Sequence, residues 1–592
     1  MILQSLNQLY SRLADVDRPG FAPMGLSWAI VLSKEGQLES LLPLRKKALR
    51  GNKLVPTPIS APSPGKRTSG DKAGFLADKT EYVLGWDTNV PSEGTVSEKL
   101  QKRFQLFRAA HLSARDSINQ PDFELVCRFL EAWHPEEGEN LERIAQAANA
   151  PLEELLGTNL AFQISGKTGF VHELPEVIDY WSKASASSAS ATEGFCLVTG
   201  EKQPLARLHD PSIKGVPGAQ SSGASIVSFN LSAFTSYGKE QSLNAPVGES
   251  AAFAYCTALN WLLSRRERKF RIGDTTAVLW TDHPTPIETL YPWMISGIPE
   301  SEDEELKKRV HKVLRAISLG TLGKDELGDT DVRYYVLGLS PNASRLSVRF
   351  WHTGTLDELI TNLKRHYDAL RIVRQWDESN SKKPEPESPN VFELLRQTAR
   401  EADGIPPLLA GALMRSILLG IAYPNSLVQA VMNRIRADRD VNYLKAAILK
   451  AWLVRNHQDW LKKQQIEMTT ALHKDTPSVA YQLGRLFAVY EQAQRAAHEF
   501  KLERTIRETM YSSASANPLA VFGRLDRLNK HHLQKLNTGS NRFFSDLIDE
   551  IHQKIEAPSF YPSSLNLKGQ SLFCIGYYHQ RHDLRPTKKE NE

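Results

Sequence analysis

The stretch Asp-Glu-Ser-Asn-Ser-Lys-Lys-Pro-Glu-Pro-Glu-Ser-Pro-Asn, residues 377–390, separates two kinds of sequence. It is polar and charged, and its three prolines cannot continue a helix, so it reads as a linker. Beyond it the pattern is helical almost without interruption. Residues 391–401, 408–422, 426–437, 441–461 and 478–508 repeat apolar side chains at helical spacing, with Gly, Ser, Asn or Pro between them. Residues 391–592 therefore read as an all-α C-terminal helical bundle. Before the linker the elements are mixed. Ile2, Leu3, Leu6, Leu9, Tyr10 and Leu13 form one amphipathic face; residues 26–32, 81–85 and 276–280 are strand-like; 333–340 with 345–351 suggest a hairpin. Helical patterns at 97–110, 122–132 and 259–263 lie among them. The expected fold is an α+β N-terminal region, residues 1–376, then the linker and the bundle.

Composition bounds what such a chain can do. At 592 residues it exceeds a single hydrophobic core, so several domains are expected. With 41% hydrophobic and 24% charged residues it is globular, not disordered or fibrous. The net charge of +5 is uneven. Residues 391–592 hold 28 Lys+Arg against 20 Asp+Glu, a surplus of eight, whereas the first 390 hold 45 against 48. The basic excess belongs to the bundle, where it suits contact with phosphates. Cys127, Cys196, Cys256 and Cys574 lie far apart with no zinc-ligand spacing, so buried thiols in a reducing cytosol are expected and no metal or cofactor. The N-terminus carries Asp15 and Asp17 and lacks signal-peptide order. The longest apolar tract, 407–423, is broken by Arg415 and two glycines and suits a buried helix. A cytoplasmic protein without a membrane partner follows.

Catalytic constellations are thin. Ser165-Gly166-Lys167-Thr168 contains the end of a phosphate loop, but Ala161 stands where that motif needs its first glycine. A turn between strands is the simpler reading. His209-Asp210 and His582-Asp583 are the doublets from which a metal-dependent nuclease would be built, yet no partner array accompanies them. His531-His532 reads as a solvent-facing pair at a helix start, and residues 302–305 as a solvated acidic run. No nucleophile elbow occurs. A non-enzymatic role is expected, with the nuclease as the alternative.

Polar loops that could grip nucleic acid are better supplied. Residues 66–72 bring Lys66, Arg67, Thr68, Ser69 and Lys72 together: cations for phosphates or guanine edges, hydroxyls for register. Residues 214–223 combine Lys214 and Gln220 with small residues that let backbone approach a ligand. Tyr237, Lys239, Gln241 and Asn244 mix an aromatic, a cation and two amides, which suits base edges or simply the satisfaction of loop backbone. In the bundle, Arg434, Arg436 and Arg439 lie close in sequence with Lys445 and Lys450 after them, and Arg504, Arg507, Arg524, Arg527 and Lys530 form a later group. Arg434, Arg436, Arg504, Arg507 and Arg524 are the candidates for strand-backbone contacts, although Asp438, Asp440 and Asp526 dilute the surplus.

At these same loops the chain resembles a known family, the large subunit of the type I-C CRISPR Cascade surveillance complex. The resemblance runs through Arg67-Thr68-Ser69-Gly70, Phe75-Leu76, Asp78, Tyr82-Val83-Leu84-Gly85 and Cys196-Leu197-Val198-Thr199-Gly200. It continues through Ile213-Lys214-Gly215-Val216 and Gly218-Ala219-Gln220-Ser221-Ser222-Gly223-Ala224. It is densest at Ser228-Phe229-Asn230, Ala233-Phe234, Ser236-Tyr237-Gly238-Lys239-Glu240-Gln241 and Asn244-Ala245-Pro246, and closes with Ala252-Phe253-Ala254-Tyr255 and Thr257-Ala258-Leu259-Asn260.

The resemblance implies a non-catalytic subunit of an RNA-guided, DNA-targeting complex. Guide pairing reads the target, while the protein reads a short adjacent motif in the duplex and helps to open it. By the same resemblance the bundle lies along the displaced strand, and the chain is the docking platform for the helicase-nuclease. The implied partners are target double-stranded DNA and its displaced strand, the guide RNA with backbone and handle-binding subunits, and a small subunit. That small subunit could be a separate translation product opening at Met468, 125 residues long. Arg67, Thr68, Ser69 and Lys72 are the implied motif contacts, with Lys214, Gln220, Lys239, Gln241 and Asn244 matching further blocks. Gly74 and Lys79 stand where the family pattern places asparagines, so base reading by those amides does not carry over.

Overall fold

A computed structural model describes the chain except residues 15, 48–53, 64–70, 89–95, 138, 187–191, 300–301, 322–327, 378–380, 382–383, 556–560 and 586–592. The chain divides into two compact units, residues 3–212 with 227–259, and residues 213–226 with 260–592.

The first unit is built on a long strand, β1 (Phe21–Leu32). β2 (Leu38–Pro43) and β3 (Thr57–Pro62) pair antiparallel with its two halves. β4 (Ala77–Lys79) pairs with β5 (Asn159–Ile164), which runs parallel to β1. A parallel neighbour needs a crossover, and α1 (Glu98–Ile118) and α2 (Pro121–Ala132) occupy that stretch of chain. Ser97 caps α1 through the Leu100 amide, and Pro121 opens α2 where a missing N–H costs nothing. Trp28, Ile30, Phe75, Trp86, Phe107, Phe123 and Phe162 share the core. His111 lies fully within it. Its Nε2 accepts from the Leu76 amide at 2.8 Å and its Nδ1 donates to the Phe107 carbonyl at 2.7 Å, while burial pushes its pKa down to about 4.

The second unit carries an antiparallel sheet, β6 (Lys269–Ile272), β7 (Thr275–Thr281), β8 (Arg333–Asn342) and β9 (Arg345–Thr355), in that order. α3 (Glu304–Leu319) and α4 (Leu356–Leu370) accompany it; Asp303 caps α3 and a Thr355–Glu358 capping box starts α4. The all-helical C-terminal half follows, with α5 (Tyr443–Asn456), α6 (Val479–Ala497), α7 (Ile506–Ala516), α8 (Pro518–Gln534), α9 (Thr538–Gln553) and α10 (Leu567–Asp583) as its main members. One hydrophobic core runs from Phe270 and Leu279 of the sheet to Phe573 and Tyr578 of α10. Residues 377–390 lie within this unit. There the Glu385 carboxylate accepts from the Gln375 amide at 2.6 Å and the Trp376 amide at 3.2 Å.

Mixed sheets and helices followed by an all-helical half agree with the sequence reading, and several local expectations need correction. Residues 81–85 are not a strand. Thr80–Val83 is a helical turn in which the Leu84, Gly85 and Trp86 amides all reach the Thr80 carbonyl, with Gly85 in the left-handed region that ends helices. The helix expected to resume at 259 already begins at Glu249. The 441–461 helix breaks at His457, after Asn456 turns its amide onto the Tyr423 backbone. The 478–508 helix ends at Ala497, where Glu499 and Phe500 both take positive φ. The Ser- and Ala-rich residues 182–186 form the end of the helix Pro175–Ala186. Lys167 of the incomplete phosphate loop binds both Asp122 oxygens, at 2.7 and 2.8 Å, in a turn after β5.

Candidate nucleic-acid interface

In the first unit, Arg67, Thr68 and Ser69 lie outside the described residues; the chain emerging from them is firmly held. Asp71 bonds Arg103 of α1 at 2.7 Å, and that hydrogen bond holds its carboxyl below the usual range. Arg103 also pairs with Glu81. The Asp78 carboxylate, 2% exposed, accepts from the Gly74 amide at 2.6 Å and the Lys79 amide at 2.8 Å. A Cβ on residue 74 would collide with the Ala77 carbonyl and Asp78, so this position admits only glycine, whatever amide a relative carries there. Lys72 projects from this braced stem and is exposed.

Lys239, Gln241 and Asn244 are brought together in one loop. The Asn244 amide organises it. Its Oδ1 accepts from the Ser236 amide at 2.9 Å, and its Nδ2 donates to the carbonyls of Lys239 at 2.8 Å and Gln241 at 2.9 Å. Ser242, 4% exposed, anchors the base by donating to the Arg207 carbonyl at 2.7 Å. With the Asn244 side chain so engaged, the larger groups the loop presents are Tyr237, Lys239, Gln241 and the acid Glu240. Tyr237 is 98% exposed at φ +52°, a conformation a non-glycine residue adopts only when its surroundings impose it. Asn244→Asp removes both donated bonds, at a cost of about 1–3 kcal/mol to the loop. Limited chymotrypsin digestion should show faster cleavage after Tyr237, with the rest of the unit resistant.

In the second unit, Lys214 and Gln220 sit on a loop closed by reciprocal 2.8 Å bonds between Ile213 and Ala224. Its backbone is laid along the β8–β9 turn: Gln220 donates to Ala343 at 3.2 Å and Ser225 to Ser344 at 3.0 Å. The Lys214 amide donates to Asn260 Oδ1 at 2.8 Å. The main chain is pinned while the Lys214 and Gln220 side chains are exposed.

The bundle sorts its cations. Arg507 is spent internally: its side chain is 16% exposed and meets Glu508 at 2.7 Å and Asp440 at 3.3 Å. Arg434 pairs with Asp438, and Arg436 bonds Gln570 at 2.8 Å. Arg504 and Arg524 are exposed and make no ion pair among the described residues. On α8 the only acid, Asp526, is half-buried and engaged on both oxygens: the Tyr490 hydroxyl donates to Oδ1 at 2.6 Å and the Tyr561 hydroxyl to Oδ2 at 2.8 Å. Arg524, Arg527, Lys530 and His531 are left on an exposed face with no acid among them. His531-His532 lies in the last turn of α8, not at a helix start, and His532 turns inward to pack on His498 with ring centroids 5.6 Å apart.

A profile of the CRISPR-associated protein family Cas_Csd1 matches residues 6–585. The chain belongs to this family. It is thus a CRISPR-associated subunit of the Cascade kind, as its loop motifs imply. No curated protein matches it.

Within this Csd1-family chain the histidine of each His-Asp doublet is at least partly buried. His209 Nδ1 lies 2.6 Å from the Tyr255 hydroxyl, and burial lowers its pKa. Asp583 accepts from Gln580 at 3.3 Å, and burial lowers the pKa of His582. Among the described residues no group of three His, Cys, Asp or Glu could hold a metal ion, and no helix is long and apolar enough to cross a membrane. All four cysteines are buried free thiols, and burial pushes Cys127 up to about 11. One feature escaped the sequence reading. Lys308, Arg309, His311, Lys312 and Arg315 line the exposed face of α3 while Val310, Val313, Leu314 and Ile317 face the core. The signal was legible, as a basic run interleaved with apolar residues at helical spacing.

Proposed function

We propose that this chain is the non-catalytic large subunit of a type I-C Cascade complex: it recognises an adjacent motif in target duplex DNA, helps to open the duplex, holds the displaced strand and docks the helicase-nuclease. The observation that carries the strand-holding part is the exposed cationic face of α8, beside which the helix's one acid, Asp526, is engaged by Tyr490 and Tyr561. Phosphates recognise such a face irrespective of sequence. The braced stem behind Lys72 and the pinned loops bearing Lys214, Gln220, Lys239 and Gln241 support motif reading, because rigid elements hold side chains in register for base edges.

The two kinds of contact have different signatures in the assembled complex. Arg524→Glu with Arg527→Glu weakens binding to every target alike and flattens the dependence of log K on log[salt] by about 0.7 per lost single-strand contact. Arg67→Glu with Lys72→Glu weakens binding to motif-bearing duplex most and relaxes the preference for the motif, with guide assembly intact. Motif-library binding at several salt concentrations checks both. Unchanged affinity and slope in both variants would sink the proposal.

A further inference from the structure

α8 carries a glycine where neither backbone conformation nor internal packing asks for one. Gly523 lies in the helix between Pro518 and Gln534, and it is not among the positive-φ glycines. A Cβ built on it would meet nothing within 4 Å. This differs from Gly484 and Gly576, where a neighbouring helix leaves no room for a Cβ. A glycine inside a helix is less favourable than alanine, so the fold gains nothing from this one.

Its position on the helix is informative. At 3.6 residues per turn, Lys530, Gly523, Gln534, Arg527, His531 and Arg524 follow one another around one side of α8, an arc of about 120°. All six are exposed. Gly523 is therefore a bare patch of helix backbone flanked by cations, and Arg527 Nε reaches back to its carbonyl at 3.3 Å. Asp526, just outside the arc, has both carboxylate oxygens engaged by the Tyr490 and Tyr561 hydroxyls, which hold it in place beside the cations and not among them.

We infer that α8 seats a nucleic-acid strand directly against its backbone at Gly523, with the missing side chain making room for the sugar-phosphate chain between Lys530 and the two arginines. This rests on the reading of α8 as a strand-contacting face and goes beyond it, because a merely electrostatic face would tolerate any small side chain at 523. The occupant is a strand and not an acidic protein surface, since a narrow, continuous polyanion can lie over a gap one side chain wide with cations on either side.

Three variants of the full chain test this: Gly523→Ala, Gly523→Leu, and Arg524→Ala with Arg527→Ala. The probe is a fluorescein-labelled single-stranded DNA oligonucleotide, followed by anisotropy over a salt series. Thermal unfolding of each variant is recorded alongside. Gly523→Leu is expected to weaken binding at least about fivefold, the order of a significant interface residue, with Gly523→Ala between it and the parent. Both should unfold at or above the parent temperature, since the added side chain enters open space and favours the helix. If both Gly523 variants bind like the parent while the arginine variant loses affinity, the seating inference fails and the strand-contact reading stands. If the arginine variant also binds like the parent with an unchanged salt slope, that reading fails, and the inference with it.

Discussion

Gly576→Ala, and equally Gly484→Ala, is expected to break the crossing of α6 and α10 and destabilise the second unit by about 3 kcal/mol. The two helices touch backbone to backbone. A Cβ on Gly484 would sit 2.8 Å from the Phe573 carbonyl carbon and from the Tyr577 nitrogen, and closer still to the Phe573 oxygen. One on Gly576 would sit 3.0 Å from the Tyr481 carbonyl carbon and closer to its oxygen. Backbone cannot step aside as a flexible side chain can, so the helices must separate, and Phe487, Phe573 and Tyr577 lose the packing that close approach allows. Helix propensity favours alanine over glycine by about 1 kcal/mol, too little to offset this. Gly523→Ala is the internal control, the same chemical change in the same bundle with the opposite expected sign. Calorimetry should show a lower midpoint for the transition of the second unit in Gly576→Ala, and an equal or higher one in Gly523→Ala. An unchanged midpoint in Gly576→Ala would mean the crossing has slack.

The second large effect is expected at Arg485, whose side chain is 0% exposed. Its Nε donates to Gln580 Oε1 at 2.8 Å, Nη1 to Gln482 Oε1 at 2.9 Å and the Lys474 carbonyl at 3.2 Å, and Nη2 to Glu550 Oε1 at 2.8 Å. One guanidinium thus ties α6 to α9, to α10 and to the segment before α6. Arg485→Met keeps much of the volume and removes every donor. Two buried amide oxygens and a carbonyl then lose a partner, and the expected loss is about 3–5 kcal/mol, as for a broken buried ion pair. Arg485→Lys should fall between, because an ammonium cannot span the same acceptors. Glu550 is 33% exposed and can be rehydrated, so Glu550→Gln should cost far less, and less still on top of Arg485→Met. Denaturant unfolding of the four variants checks the order; equal midpoints for Arg485→Met and the parent would contradict it.

Both effects bear on function through one element. α6 carries Tyr490, whose hydroxyl holds one oxygen of Asp526, so a disturbed α6 frees that carboxylate to pair with the neighbouring cations of α8. Loss of bundle packing should therefore weaken strand binding even with every arginine in place.

How far the sequence could be read follows from how far apart the deciding partners lie. The helical nature of the C-terminal half and the hairpin at 333–351 depend on neighbours within a turn or a strand, and the sequence alone determined them. The family resemblance is likewise local, carried by contiguous loop motifs, and the match over residues 6–585 agrees with it. The tertiary structure alone decided which charges stay available. Arg507 and Arg524 look alike in a list of basic residues, yet one is half-buried and bonded to Asp440, 67 positions away, and the other is exposed. In the sequence Asp526 dilutes a basic run; in the fold Tyr490 and Tyr561, 36 and 35 positions away, take both its oxygens. Periodicity reports which face of a helix is apolar. It cannot report which distant hydroxyl or carboxylate will meet a given charge, because that pairing is set by helix packing and not by the residues on either side.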